Sequence, residues 1–453
     1  MMRAGATALA ALVCALAVPR AAHAEGEEIV QIEVVENTKT NVETVLLIAD
    51  VHKGDTFTYD TIDRIRKNLE NSGLFKEHQV IAVPVQGGMK LTIVAKDKLS
   101  WVIAPTVYLQ PGNQGGGLGY GENNLFGTNK KLLMYGQIAT ADSLFLAGYL
   151  DPAFLGSPLY FRADTFLRRE FVTEFSGGNT LDEPTPDRKT RMNYYNAGFL
   201  LGINVWKGMA LDARLRGAWV EFGDPECQQP LLPGDPVPPD PPGRDCERKP
   251  GKDGWDVSSE ARLTYDKRAN WYGVTTGTLF GLSYEHALPS LGSDFDYWVA
   301  SARLNRSWKF FEEHNLTLKT SVAVGHHLPF QQELTSGGTN LRGYQNREFR
   351  GDTKAGGTVE YGVPLFKISS VAFRGLLFSD LAYTTFTGSK GNVDRTYLEG
   401  QTDIDTTALR LGVGGGFRIY VRSIVLPLLG VDWGYAPQVN EYHVYFAVGL
   451  TEL

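Results

Sequence analysis

Beyond residue 24 the sequence has no apolar run approaching the ~18 residues that a membrane-crossing helix needs, which excludes a helical membrane protein. Cysteine is scarce, with three in 453 residues, and so is surplus positive charge: 44 Lys and Arg stand against 51 Asp and Glu, a formal net charge of -7. That balance offers no global basic surface, so nucleic acid is not an expected partner. A Gly-x-Ser-x-Gly element and a Walker phosphate loop are both missing. Gly117-Leu118-Gly119-Tyr120-Gly121 lacks a following helix, and Gly412 to Gly416 falls in a strand pattern, where glycine eases barrel bending. A metal is not expected either, because His326-His327 on a strand would point to opposite faces and no third ligand has a telling spacing. Glu312-Glu313 lies in a short turn and reads as solvated. These absences argue against an enzyme and against a bound cofactor.

What the chain does have is 50 Gly, 20 Tyr and 23 Phe at a mean hydropathy of -0.19. Turn residues and strand aromatics with a low average hydropathy suit an outer-membrane β-barrel, whose ~10-residue alternating segments are half polar. Residues 1–24 carry Arg3, an apolar run from Ala4 to Val18 and the small-x-small site Ala22-His23-Ala24, which predicts a signal peptide and a mature start at Glu25. Cys14 lies inside that apolar run and leaves with it. Cys227 and Cys246 bracket a proline-rich stretch with no His between them, and an exported chain favours a disulfide over a metal site there.

Residues 25–97 read as a small α+β domain. Ile29 to Val34 alternates as a strand and Val42 to Asp50 can be a helix. Thr58 to Ser72 is a clearer helix, with Thr58 as cap, Ile62, Ile65 and Leu69 on one face, and Gly73 as stop. Strands Gln79 to Val85 and Met89 to Ala95 follow, joined by a glycine turn. The order β-α-α-β-β over residues 28–97 resembles a POTRA domain, which implies a periplasmic module that accepts client segments along a sheet edge.

From residue 98 to 453 the pattern predicts sixteen antiparallel membrane strands. In the seventh, Leu211, Ala213, Leu215 and Trp219 alternate with Asp212, Arg214 and Arg216, as lipid and lumen demand. Every second connection is long: Glu174 to Thr190, Gly223 to Asp253, His326 to Asp352 and Thr387 to Asp405, while Trp206-Lys207-Gly208 and Arg422-Ser423 are short. The long ones are expected outside the cell, and the first and last strands should pair, because an open edge in lipid is costly.

The sixth outer loop, residues 326–352, holds Ser336-Gly337-Gly338-Thr339-Asn340-Leu341-Arg342-Gly343-Tyr344. A guanidinium delivered inward by flanking glycines needs a carboxylate, so Arg342 is a latch candidate. Parity puts Glu360 and Asp380 on the lumen side of the next two strands, where they are suited to grip it. With one POTRA-like domain ahead of it, and with Asn123 to Thr128, Asp151 to Gly156, Tyr265 to Asn270 and Phe378-Ser379-Asp380 in order around it, this loop makes the chain resemble the outer-membrane assembly and two-partner secretion superfamily, the BamA/TamA and TpsB kind. The resemblance implies that the loop folds into the lumen with Arg342, Gly343 and Tyr344 held against acidic groups of the following strands. It implies a mainly β, 16-stranded transmembrane barrel in the outer membrane, with the α+β domain in the periplasm. It also implies unfolded, β-barrel or secreted polypeptides as clients, inserted or translocated, with outer-membrane lipid and periplasmic chaperones as partners. A passive pore or structural barrel without clients is the alternative. The final Thr451-Glu452-Leu453 lacks a terminal aromatic, so recognition of this barrel during its own insertion is expected to use Phe446 to Leu450.

Overall fold

A computed structural model describes residues 26–176, 185–228, 245–387, 409–421 and 428–448. The expected signal peptide, most of the Thr387 to Asp405 connection and the end of the last strand lie outside these residues. The described chain forms two compact units, residues up to 100 with 126–129, and residues 101–125 with 130 onward.

The first unit is built from β1 (Ile29–Val35), α1 (Val42–Ala49), α2 (Tyr59–Ser72), β2 (Phe75–Val85) and β3 (Gly88–Asp97). Thr58 and Thr61 cap α2 reciprocally, each side-chain oxygen accepting the other's backbone N–H at 3.2 Å, and Gly73 ends the helix at φ +66°. The sheet order is β1-β3-β2, parallel on one side of β3 and antiparallel on the other, so β2 is an edge. Ile65 and Leu69 of α2 and Val45 of α1 pack on Ile29, Met89, Leu91 and Ile93, all nearly or fully buried. The outer face of β2 stays bare, with Ile81 and Val83 exposed. β2 begins at Phe75, earlier than the expected Gln79, because the ladder to β3 extends to Asp97 beyond a bulge.

The second unit is a closed antiparallel barrel of sixteen principal strands. They are β4 (Trp101–Gln110), β5 (Asn113–Leu125), β6 (Lys130–Ala139), β7 (Asp142–Asp151), β8 (Leu159–Ser176), β9 (Thr185–Trp206), β10 (Met209–Phe222) and β11 (Gly254–Asp266). After these come β12 (Val274–Ala287), β13 (Trp298–Phe310), β14 (His314–His326), β15 (Thr353–Ile368), β16 (Val371–Thr385), β17 (Arg410–Val421), β18 (Leu429–Ala436) and β19 (Glu441–Val448). Glu226–Cys227 and Ala269–Trp271 add short pieces to the ends of the ladder. Alternation sorts the faces: on β10, Leu211 is exposed while Arg216 and Ala218 are buried, and on β19, Tyr442 and Val444 are exposed while Tyr445 and Ala447 are buried. Closure is narrow. Among the described residues β19 meets β4 only through Phe446, Ala447 and Val448, opposite Leu109, Tyr108 and Val107.

Three local expectations are corrected. The expected loop from Glu174 to Thr190 is mostly strand: the β8–β9 ladder runs past a bulge at Glu174 to Ser176 opposite Thr185, steadied by the Arg188–Glu174 ion pair at 2.5 Å. His326 and His327 do not point apart; the strand ends at His326, His327 turns to φ +54°, and the two rings stack 4.0 Å apart. Glu313 is not simply solvated, since its carboxylate pairs with Lys367. Cys227 and Cys246 form a disulfide, with Cα atoms 5.3 Å apart.

Candidate functional site

The connection from β14 to β15 is not an open loop. Leu334–Ser336 and Phe349–Gly351 pair as a small hairpin, and the tip between them turns on Gly337, Gly338 and Gly343 at φ +119°, +70° and +103°. Side chains at two of these would collide with backbone: a Cβ on Gly337 would stand 2.1 Å from the Gln345 oxygen, and one on Gly343 2.7 Å from the Ala436 nitrogen. Leu341 and Tyr344 are fully buried and pack with Phe349, Ala382 and Ala436. Apolar burial thus carries the tip against the inside of β16 and the end of β18.

Arg342, between those two anchors, is 2% exposed. Its backbone N–H and Nε donate to Oδ2 of Asp380 at 3.0 and 2.8 Å, and Nη2 donates to Oδ1 at 2.8 Å. Nη1 reaches Oδ2 of Asp432 at 2.9 Å and Nη2 reaches Oε1 of Glu360 at 3.2 Å. The guanidinium lies over the Phe378 ring, 3.4 Å from its centroid. Burial alone would lower the pKa of Arg342, but the hydrogen bonds and charges of Asp380, Glu360 and Asp432 outweigh it and hold the group above its usual value. The carboxylates are themselves supported. Thr358 donates to Asp380 at 2.8 Å, Lys319 pairs with Glu360 at 2.9 Å, and Arg418 grips Asp432 at 2.6 and 2.7 Å. Three cations, Arg342, Arg418 and the exposed Lys319, therefore meet three anions, Asp380, Asp432 and Glu360, and the cluster, buried at its centre, is neutral.

Gly343 and Tyr344 complete the seat. The Tyr445 hydroxyl accepts from the Gly343 N–H and donates to the Tyr344 carbonyl, both at 3.1 Å. The Tyr344 hydroxyl donates to Gln438 at 2.6 Å. The tip is thereby tied to β15, β16, β18 and β19.

Of the residues singled out in the sequence, the structure brings Arg342, Gly343, Tyr344, Glu360 and Asp380 together, and places the Cys227–Cys246 disulfide apart from them. Asp432, Arg418 and Tyr445 are additions to the expected set, and Phe378, part of a stretch that carries the resemblance, lies under the guanidinium. Asp432 had a signal, as the single charge in Leu429–Ala436. Gly412 and Gly434 have a role beyond easing curvature. A Cβ on Gly412 would stand 2.0 Å from the Arg342 carbonyl oxygen, and one on Gly434 2.7 Å from the Gly343 nitrogen. These two glycines leave the space that the tip occupies.

The far side of the loop is anchored to other strands. Arg347 pairs with Glu170 of β8 at 2.8 Å, Gln332 donates to Asp256 of β11 at 2.9 Å, and Phe330 meets Phe222 of β10 edge to face. The loop therefore crosses the lumen from one wall to the other.

A family model described as "Omp85 superfamily domain" matches residues 124–451. Among solved structures, BamA from Haemophilus ducreyi lacking POTRA domains 1–3 is 15% identical with a TM-score of 0.68, over 94% of this chain and 84% of that one. CdiB from Acinetobacter baumannii is 14% identical with a TM-score of 0.59, over 94% and 74%. CdiB from Escherichia coli is 13% identical with a TM-score of 0.61, over 94% and 77%. These likenesses show a shared fold. No curated protein matches the sequence.

Proposed function

This chain belongs to the Omp85 superfamily, and on that premise we propose that it handles polypeptide clients at the outer membrane, inserting them into it or passing them across it. The first unit, read as a POTRA-like periplasmic module, takes an extended client segment along the edge strand β2, whose main-chain groups are free to pair and whose Ile81 and Val83 offer apolar contacts. The barrel then offers its own edge.

The observation that carries this reading is the seam where the last strand, β19, meets the first, β4, next to a wall sector held by the Arg342 tip. In lipid an unpaired strand edge is expensive, so a seam that opens must be filled, and the chemically matched filler is another strand. The latch proposed for Arg342, Gly343, Tyr344, Glu360 and Asp380 holds β15, β16, β18 and β19 in one arrangement while β4 parts from β19. A passive pore, the competing reading, is disfavoured by a loop that bridges the lumen through Arg347, Gln332 and Arg342.

Cysteines introduced by Tyr108→Cys and Ala447→Cys, which face each other across the seam, test the proposal. Oxidation should stop assembly or secretion of clients in cells, and reduction should restore it. Full client handling with the seam locked would sink the seam mechanism. Unchanged envelope and secreted proteins on depletion of this chain would sink the function itself.

A further inference from the structure

We propose that the barrel lumen carries an anion site at Arg374, suited to a carboxylate borne on a polypeptide. Arg374 projects from β16 into a lumenal cavity of about 690 Å³ and is 3% exposed. Its Nη2 donates to the Glu313 carbonyl at 2.8 Å, while Nη1 is buried with no partner among the described residues. The Glu313 carboxylate is already engaged by Lys367. The other charges lining the cavity are committed: Arg268 to Asp266 at 2.8 Å, Lys319 to Glu360 at 2.9 Å and Arg418 to Asp432 at 2.6 Å. Since the Arg342 cluster is neutral within itself and Lys367 holds the Glu313 carboxylate, Arg374 has no carboxylate bonded to it among the described residues. A buried charge without a bonded counter-charge is costly, and a guanidinium at a cavity wall whose buried Nη1 has no partner is matched by a planar oxyanion.

The rest of the cavity selects what carries that anion. Asn270, Thr275, Asn305, Ser307, Asn315 and Thr317 line it with amide and hydroxyl groups, which donate to and accept from peptide units. Gly362 keeps the approach open, since a Cβ there would stand 3.3 Å from Nη2 of Arg374. The cavity adjoins the short turns after β11, β13 and β15, which on the proposed orientation face the periplasm. The inference rests on the polypeptide-handling reading and adds to it the group recognised: a chain-terminal carboxylate or an acidic side chain.

The test uses the purified full-length protein in lipid nanodiscs and three fluorescent hexapeptides of one neutral sequence: a free C-terminal acid, its amide, and the amide with one internal Asp. Anisotropy should show the acid binding at least tenfold tighter than the plain amide. That advantage should fall below twofold in Arg374→Gln and return in part in Arg374→Lys. Tight binding of the Asp-containing amide would identify side-chain carboxylates as accepted, and weak binding would restrict the site to chain ends. Equal binding of acid and plain amide to the unaltered protein overturns the proposal without any variant, so it stays decidable even if Arg374→Gln does not fold. Client handling that persists while acid and amide bind alike would remove this site and leave the proposed function standing.

Discussion

Two buried arginines in the same barrel meet carboxylates in different ways. Arg216 on β10 is 8% exposed and bonds Tyr194 of β9, Asp256 and Ser258 of β11, Glu285 of β12 and Tyr297 just before β13. Ser258 is its direct cross-strand partner, so the ladder already places Arg216 beside the groups that neutralise it. Arg342 is as deeply buried, yet it arrives on a loop tip and meets Asp380 and Asp432 from outside the ladder. The same chemistry therefore does two things. In the wall it adds to a ladder pairing; in the loop it bonds a segment that lies outside the ladder.

The comparison is broken most forcefully by truncating each arginine, because removing one partner of a buried pair costs roughly 3–5 kcal/mol through the charge left behind. Arg342→Ala should release the tip, with hydrogen-exchange protection lost over residues 334–351 and retained in the barrel hairpins. Arg216→Ala should lower the thermal stability of the whole barrel. Arg342→Lys should recover little, since one ammonium cannot span Asp380, Asp432 and Glu360. A double-mutant cycle sharpens the contrast. Arg342 with Asp380 should show coupling of about 0.5–3 kcal/mol, whereas Arg342 with Glu285, which binds Arg216 in the wall, should be additive to within about 0.5 kcal/mol. Additivity in the first pair would dismiss the latch.

A second difference is pH. Burial pushes the Glu348 carboxyl in the loop up to about 7 from 4.5, with Glu441 adding to the rise and the Gln345 N–H and Arg410 opposing it. A carboxyl raised in the folded state favours docking fully below its unfolded value of 4.5, and that contribution is lost as pH rises through about 7. The shift corresponds to about 3 kcal/mol. Protection of residues 341–349, corrected for intrinsic exchange, should therefore fall between pH 5 and pH 8. In Glu348→Gln it should be flat, and a slope that survives this change would show that another group titrates.

Smaller effects are steric. Gly412→Ala places a methyl group against the Arg342 carbonyl, and overpacking of this kind costs about 1–3 kcal/mol. It should loosen the tip without moving the barrel's melting temperature, whereas Gly217→Ala on β10, where a Cβ meets nothing within 4 Å, should leave the tip unchanged. The smallest effect is expected at the disulfide. Replacing Cys227 and Cys246 by Ser should leave both the heat-modifiable migration of the barrel and the protection of the tip as they were. A change in either would tie that outer connection to the lumen.

Much of the fold was legible because a membrane strand repeats every two residues, and lipid and lumen impose opposite demands on its faces. Leu211 against Arg216, and Tyr442 against Tyr445, could be sorted without coordinates, and so could the lumen side of Glu360 and Asp380. Boundaries failed where pairing outran the pattern. Nothing in Glu174 to Thr190 alternates cleanly, yet β8 and β9 stay paired there through the bulge and the Arg188–Glu174 contact. His327 failed for a similar reason, since one left-handed residue cancels the alternation that a strand would impose.

The sequence by itself determined the class of structure: an α+β unit, sixteen alternating strands and one glycine-rich loop carrying an arginine, all properties of local periodicity and turn chemistry. Only the tertiary structure decided which groups answer that arginine. Asp432 is 90 residues from Arg342 and Tyr445 is 102 from Gly343, and closure of the barrel is what turns them toward one point. The spaces at Gly412 and Gly434 likewise exist only against a docked tip. A lone strand cannot reveal them, because an absent side chain has meaning only when something else fills its place.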